Sequence, residues 1–212
     1  MKIALIMENS QAAKAETVHK ALKSVAEPAG HTVSHYGMYA ADDDAQLTYV
    51  MNGILAGLLI NSGAADFVVS GCGTGMGAML ALNAMPSVVC GLVIDPTDAF
   101  LFGQINDGNA ISMPYAKGFG WAAELNLQDC YRKLFEIERG VGYPKERAEI
   151  MAKNRNIFSE VKSAATKDML TVLKSIDQDL LMKVLAGEHF QDLFFANATD
   201  EALISFVKEK LA

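Results

Sequence analysis

The stretch Ala65-Asp66-Phe67-Val68-Val69-Ser70-Gly71-Cys72-Gly73-Thr74-Gly75-Met76-Gly77-Ala78 decides how the chain folds. An apolar run stops at Ser70, four glycines follow at every second position, and an apolar helical pattern then begins. This order predicts a strand, a tight loop and a helix, with backbone N–H groups crowded together at the loop. Glycine lets a ligand approach such a backbone closely, and Cys72 and Thr74 carry the only reactive side chains of the loop.

Apolar stretches alternate with helical patterns along the first two thirds of the chain. We predict strands at residues 3–7, 31–36, 66–70, 87–94 and 108–113, and helices at about 10–27, 46–62, 76–84 and 117–137. This alternation predicts an α/β fold, an open parallel five-stranded sheet with helices on both faces. Ligands of such folds bind beyond the carboxyl ends of the strands. The glycine loop, Glu8-Asn9 and Asp95 all follow predicted strands and should lie at that edge.

The segment Arg139-Gly140-Val141-Gly142-Tyr143-Pro144 marks the best domain boundary. We therefore divide the chain into an α/β domain, residues 1–143, and a C-terminal helical extension, residues 144–212. The extension has no strand-like alternation, and we predict three helices at about 145–163, 167–186 and 198–211. An amphipathic helical segment of this size should pack on the main domain or on a neighbouring subunit rather than fold alone.

Composition narrows the class of protein. The chain has 212 residues, of which 51% are hydrophobic and 20% charged, as in globular proteins. A net charge of −7 argues against a nucleic-acid partner, because phosphate neutralisation requires clustered Lys and Arg. No apolar run approaches membrane-spanning length, and the three cysteines do not form a disulfide framework. We expect a cytoplasmic protein with neither a nucleic-acid nor a membrane partner.

The glycine loop has three competing interpretations. Gly73-x-Gly75-x-x-Ala78, with Asp95 at the end of the next strand, fits a relaxed dinucleotide-binding fingerprint, although that fingerprint normally follows the first strand of its fold. A second interpretation is proton transfer, in which Cys72 acts as a base on a carbon acid and loop N–H groups hold the oxyanion. In the third, Cys72 is a small buried residue and the glycines only turn the chain. A phosphate P-loop is excluded, because no Gly-Lys-Ser/Thr follows.

The loop also has a recognisable pattern. Gly71-Cys72-Gly73-Thr74-Gly75-Met76-Gly77, with Asn83 downstream, resembles the Gly-Cys-Gly-Thr-Gly signature of the RpiB/LacA/LacB sugar-phosphate isomerases. Asp95-Pro96-x-x-Ala99-x-Leu101 and Gln104-Ile105-Asn106-Asp107-x-Asn109 follow the next block of that family without a gap. The resemblance covers roughly residues 1–150. It implies a Rossmann-like fold that assembles as a homodimer or homotetramer with active sites shared between subunits.

The resemblance implies an aldose–ketose isomerase that acts on a small phosphorylated sugar through an enediolate, without a metal or other cofactor. Cys72 occupies the position of the Cys that moves the proton between two carbons, and Thr74 that of a Thr that handles the sugar ring. The implied substrate-binding residues are Glu8, Asn9, Tyr49, Gly73, Gly75, Asn106 and Arg147. We expect Asn106 and Glu8 of one subunit to meet near Cys72, with Arg147 reaching the phosphate from another.

The departures from the family pattern bear on the substrate. Glu8-Asn9 stand where the family usually has Asp-His, Ile105 replaces the His that assists ring opening, and Tyr143 replaces one phosphate-binding Arg. An Ile cannot transfer a proton, so a furanose substrate would lack its usual ring opener. Either the substrate is open-chain, for example a four-carbon sugar phosphate, or the extension returns a polar group such as Glu188 or His189.

These departures leave several functional hypotheses open. The first is an active isomerase of a ribose-5-phosphate-like or four-carbon sugar phosphate, with Lys145 as a substitute cation near the phosphate. The alternatives are a catalytically altered sugar-phosphate-binding paralogue, one half of a heteromeric isomerase, and a dinucleotide-binding domain. Among the other chemistry-bearing residues, we expect His19 and His35 at the surface, and Cys90 and Cys130 in the core.

Overall fold

The computed structural model describes residues 1–187 and 189–212. Five parallel strands form one sheet in the order β2-β1-β3-β5-β4. The strands are β1 (Lys2–Ile6), β2 (Thr32–His35), β3 (Phe67–Cys72), β4 (Cys90–Leu92) and β5 (Ala110–Pro114). The predicted Rossmann-like α/β fold is therefore confirmed. The sheet order reverses between β1 and β3, and the crevice at that point is where such sheets bind ligands.

Ten α-helices accompany the sheet within the described residues. They are α1 (Ala15–Ala26), α2 (Tyr49–Asn61), α3 (Met76–Asn83), α4 (Pro96–Leu101), α5 (Ala123–Phe135), α6 (Ala148–Ala165), α7 (Met169–Ser175), α8 (Gln178–Leu185), α9 (Phe190–Asn197) and α10 (Glu201–Leu211). Short 3-10 turns at Asn9–Lys14 and Lys145–Arg147 precede α1 and α6, and a π-helical turn at Phe102–Asn106 continues α4. No helix in this part of the chain is long and apolar enough to cross a bilayer.

Side-chain alternation along the strands divides the core into two layers. Leu5, Val69 and Ile111 face α1 and α5 on one side of the sheet. Ala4 and Val68 face the opposite side, where α2 covers the sheet. Both faces of the central strands are thus buried, which explains why these strands are apolar without interruption.

The helices of the extension add a further layer behind α2. Met169 of α7, Phe190 of α9 and Leu203 of α10 are buried in the same apolar core as Leu55 and Leu58 of α2. Because α2 is covered on both sides, it is apolar around its whole circumference. The boundary at residue 143 stays a prediction, since this core includes residues from both sides of it.

Two predicted helices differ from the structure. The helix predicted at 167–186 is interrupted at Ile176, where Asp177 caps a new helix by accepting a hydrogen bond from the backbone N–H of Leu180 at 2.7 Å. The helix predicted at 117–137 begins only at Ala123. Gly118 and Ala122 both have positive φ angles, which a continuous helix does not allow. The intervening loop carries Trp121, whose side chain is fully exposed.

His35 is buried, so the prediction that it lies at the surface is wrong. It ends β2 and is only 2% exposed, and neither ring nitrogen has a hydrogen-bond partner among the described residues. Its ring stacks on Tyr39 with the centroids 4.1 Å apart and lies 5.1 Å from that of His19, while the His189 ring lies 3.9 Å from that of Tyr39. Burial, with the two neighbouring histidines, lowers the pKa of His35 to about 3.

The buried His35 should make the fold sensitive to acid. Between its ordinary pKa of about 6.5 and the folded value, only the unfolded chain binds the proton, so the free energy of unfolding falls as pH decreases, by up to about 1.4 kcal/mol per pH unit. Urea denaturation between about pH 7 and pH 4 measures this slope. His35→Gln should reduce the slope of unfolding free energy against pH. His31→Gln, at a half-buried position beside the N-terminus, should leave that slope unchanged. Equal slopes for His35→Gln and the wild type would contradict the assignment.

Candidate active site

The glycine loop joins the carboxyl end of β3 to the first turn of α3. Cys72 is the last residue of β3 and is 8% exposed, and Gly75 precedes α3 with a left-handed φ of +75°. The thiol therefore lies at the N-terminal end of a helix and beside the β1–β3 crevice. An anion that forms next to Cys72 would meet the positive end of the α3 dipole.

Hydrogen bonds hold the carbonyl groups of the loop on one side. The Cys72 carbonyl accepts from Tyr115 N–H at 2.9 Å, and the Gly73 carbonyl accepts from Ala116 N–H at 3.0 Å and Lys117 N–H at 2.9 Å. Because a trans peptide unit directs its N–H away from its C=O, the N–H groups of Gly73 and Thr74 point to the opposite side. No described residue accepts a hydrogen bond from either N–H group or from that of Gly75. The loop thus presents unpaired donors suited to an oxyanion.

Two glycines of this loop have no room for a side chain. A Cβ on Gly71 would lie 2.2 Å from the Met113 carbonyl oxygen, and one on Gly75 would lie 2.6 Å from Cδ1 of Leu92. Glycine is therefore required sterically at Gly71, and at Gly75 by its φ together with Cβ contacts of 3.0 Å and 3.1 Å to the backbone of Met113 and Pro114. Gly73 differs, since a Cβ there would have no neighbour nearer than 3.7 Å. A side chain at Gly73 would thus make only ordinary van der Waals contacts, with Ala116 and Gln11.

The loop after β1 forms the opposite wall. Glu8 is buried, and its carboxylate accepts hydrogen bonds from Ser10 Oγ at 2.6 Å and Ser10 N–H at 2.9 Å, so it caps the turn at Asn9–Lys14. Asn9 is exposed beside it. Tyr49, the first residue of α2, places its ring 3.3 Å from the Cβ position of Gly77. Glu8, Asn9, Tyr49 and the glycine loop therefore lie at one edge of the sheet.

Two polar residues at this edge had no predicted role. The Gln11 side-chain nitrogen lies 3.7 Å from the Cβ position of Gly73, and Lys14 Nζ donates to Gln11 Oε1 at 2.7 Å and to the Tyr115 carbonyl. Both follow β1, the strand beside the reversal of sheet order. The sequence could have indicated Gln11 and Lys14 only by their position shortly after β1, because the Gly-Cys-Gly-Thr-Gly signature does not include them.

Asn106 and Arg147 lie away from Cys72 within one chain. Asn106 ends the turn that leads into the amino end of β5, whereas Cys72 ends β3 at the carboxyl edge. Asn106 lines a groove of about 1140 Å³ with Ile105 and residues of α6, and Arg147 directly precedes α6. The expectation that Asn106 and Glu8 of one subunit meet near Cys72 is thus wrong, because the sheet separates them.

The remaining candidates lie outside the crevice. Lys145 is exposed in the turn before α6, and His189 packs on Tyr39. Glu188 lies outside the described residues. Cys90 and Cys130 are buried, and burial raises the pKa of each thiol to about 12, so both stay protonated.

Comparison with known proteins assigns the chain to a family. A family model described as Ribose/Galactose Isomerase matches residues 3–128, more than half of the chain. The chain belongs to the ribose/galactose isomerase family. A second model, described as Ribose-5-phosphate isomerase, matches residues 164–209 in the C-terminal helices. The protein is thus an aldose–ketose isomerase, as the sequence predicted.

Solved structures show the same relationship. A 4-deoxy-L-threo-5-hexosulose-uronate ketol-isomerase, solved with a tartrate, is 55% identical, with a TM-score of 0.97 over 100% of this chain and 99% of that one. A ribose-5-phosphate isomerase from Vibrio parahaemolyticus is 50% identical, with a TM-score of 0.96 over 99% of both chains. A type B ribose 5-phosphate isomerase from Trypanosoma brucei shares the fold at 17% identity and a TM-score of 0.60, covering 78% of this chain and 98% of that one.

The steric requirement at Gly75 can be tested against a glycine with the same φ. Gly75→Ala should lower the free energy of unfolding by about 2–3 kcal/mol and reduce isomerase activity, because tight contacts with the backbone of Met113 and Pro114 add to the strain of a left-handed alanine. Gly118 also has a φ of +75°, but a Cβ there meets nothing within 4 Å. Gly118→Ala should cost only the strain, about 1 kcal/mol. Equal losses of stability in urea denaturation would refute the packing argument.

Proposed function

We propose that the protein isomerises an open-chain sugar acid with Cys72 as the proton-transfer base. Cys72 removes the proton from C2 of the aldose, and the electron pair forms the C1–C2 double bond of an enediolate whose charge rests on O1. The same thiol returns the proton to C1, while the hydroxyl proton passes from O2 to O1. The N–H groups of Gly73, Thr74 and Gly75, which have no acceptor among the described residues, carry this proposal, because they can stabilise the negative oxygen without reorganising.

The departures at Ile105 and Tyr143 favour a substrate that cannot form a ring. Ribose 5-phosphate can close a furanose ring through its 4-hydroxyl group. The 4-deoxy-5-oxo-uronate named for the 55% identical relative has no hydroxyl at C4 or C5 to attack the aldehyde, so it needs no ring-opening His. Its terminal carboxylate also carries less charge than a phosphate, which suits a site where Tyr143 replaces an Arg. We propose a 4-deoxy-5-oxo-hexuronate as the substrate class.

A three-substrate panel tests this substrate class. We expect the highest kcat/KM for a 4-deoxy-5-oxo-hexuronate, a lower value for erythrose 4-phosphate, which is open-chain but phosphorylated, and the lowest for ribose 5-phosphate. NMR follows both isomerisation and binding. Equal or faster turnover of ribose 5-phosphate would overturn the proposed substrate. Binding without turnover of any member would favour the catalytically altered paralogue.

Replacement of Cys72 tests the proposed base. Cys72→Ser should lower kcat by about 10²–10⁴-fold and abolish deuterium uptake from solvent at the substrate carbon, while substrate binding is kept. Cys130→Ser is the matched control, since Cys130 is a buried thiol on α5 with no part in the site. Solvent exchange at the wild-type rate in Cys72→Ser would eliminate the thiol as the base.

We further propose that two copies of the chain complete each site. Asn106 and Arg147 lie on the α6 side, away from Cys72, so a substrate that contacts all three must bridge two chains. No described residue of α6 is buried, and the helix exposes Ile157, Phe158 and Val161. Apolar side chains exposed along one helix are typical of a surface that a second subunit covers.

Mixing two inactive variants tests the shared site. Cys72→Ser and Asn106→Ala should each be inactive, and heterodimers formed from them should contain one intact site of two. An equal mixture that exchanges subunits should therefore recover about a quarter of wild-type activity. Recovery near zero, with mixed oligomers demonstrated by mass spectrometry, would show that Cys72 and Asn106 do not act across an interface.

A further inference from the structure

Gln11 extends across the crevice between the loops after β1 and β3. Its Nε2 atom lies 3.7 Å from the position that a Cβ on Gly73 would take. The side chain is half-buried. Gln11 therefore lies beside the backbone that directly follows Cys72.

The orientation of the Gln11 amide follows from its neighbours. The Lys14 ammonium group has only hydrogens to donate, so the amide atom at 2.7 Å from it is the oxygen Oε1. The amide nitrogen consequently faces Ser10 and Gly73, and donates to Ser10 Oγ at 3.1 Å. Ser10 Oγ in turn donates to the buried carboxylate of Glu8 at 2.6 Å. This chain of hydrogen bonds fixes the amide at both ends.

One hydrogen of the Gln11 amide has no acceptor in the part of the chain that the structure describes. An amide nitrogen carries two hydrogens, and Ser10 is the acceptor for one of them among the described residues. Lys14 polarises the amide through its oxygen and so strengthens the remaining N–H as a donor. A donor placed beside Gly73, the residue after Cys72, suits an oxygen that becomes negative when a proton leaves the adjacent carbon.

We propose that Gln11 is a further substrate-binding residue, whose Nε2–H donates to the enediolate oxygen that lies against Gly73. This proposal rests on the proposed isomerase function and adds a side chain to the backbone cradle. Gln11 would discriminate in favour of substrates with an oxygen acceptor on the reacting carbon. Its contact strengthens as the oxygen becomes charged, so its loss should lower kcat more than it raises KM.

Two variants separate this role from a purely structural one. Gln11→Glu keeps an oxygen for Lys14 but replaces the spare donor by an acceptor, and Gln11→Met keeps only the length of the side chain. Both should lower kcat/KM by about 10²-fold, mainly through kcat, a split that loss of the hydrogen bond to Ser10 Oγ alone would not produce. Gln128→Glu makes the same substitution on α5 and should keep full activity. A value within threefold of wild type for Gln11→Glu would overturn the proposal.

If the proposed isomerase function is wrong, a binding experiment still tests the Gln11 proposal. If the wild-type chain isomerises no substrate of the panel, the Gln11 proposal is decided by the binding of tartrate, the hydroxy acid with which the 55% identical relative was solved. Titration followed by NMR should then shift the Gln11 side-chain amide signal, and Gln11→Glu should bind tartrate at least tenfold more weakly. Absence of tartrate binding by the wild type, or equal affinity for both chains, would overturn the proposal.

Discussion

The close contact between the ends of β3 and β5 is the constraint on which the site depends. At Gly71 the two backbones approach so closely that a Cβ would lie 2.2 Å from the Met113 carbonyl oxygen. This proximity lets the segment after β5 hold the carbonyl groups of Cys72 and Gly73 by three backbone hydrogen bonds. The donors of the loop face the crevice only because those carbonyl groups are fixed on the other side. The close approach of the two strands at Gly71 thus determines where the hydrogen-bond donors of the loop lie.

The fold and the strand–loop–helix geometry around Cys72 could be predicted because their signals are local. Strands buried on both faces are uninterrupted apolar runs, and four alternating glycines around Cys72 indicate a backbone that something approaches closely. The placement of Asn106 depends on topology instead. It precedes β5 and therefore lies at the amino edge, but a motif match carries no information about which edge of the sheet a residue occupies.

The other differences between the predictions and the structure all arise from tertiary packing. His35 occupies an alternating, polar-looking strand, yet β2 is covered by side chains that come from α1 and the extension. The helix break at Ile176 depends on a cap at Asp177 that resembles any other surface aspartate in the sequence. The placement of Gln11 depends on its hydrogen bond with Lys14 and on its proximity to Gly73, a residue that is far away in the chain. Such features are properties of the assembled molecule.

The segment that holds the glycine loop also carries Trp121, the single tryptophan of the chain. Its indole is fully exposed, five residues beyond Ala116, whose N–H is bonded to the Gly73 carbonyl. Tryptophan emission depends on the polarity around the ring. The molecule consequently contains a single optical reporter, whose emission would record a change of polarity around the segment that holds the glycine loop and is obscured by no second tryptophan.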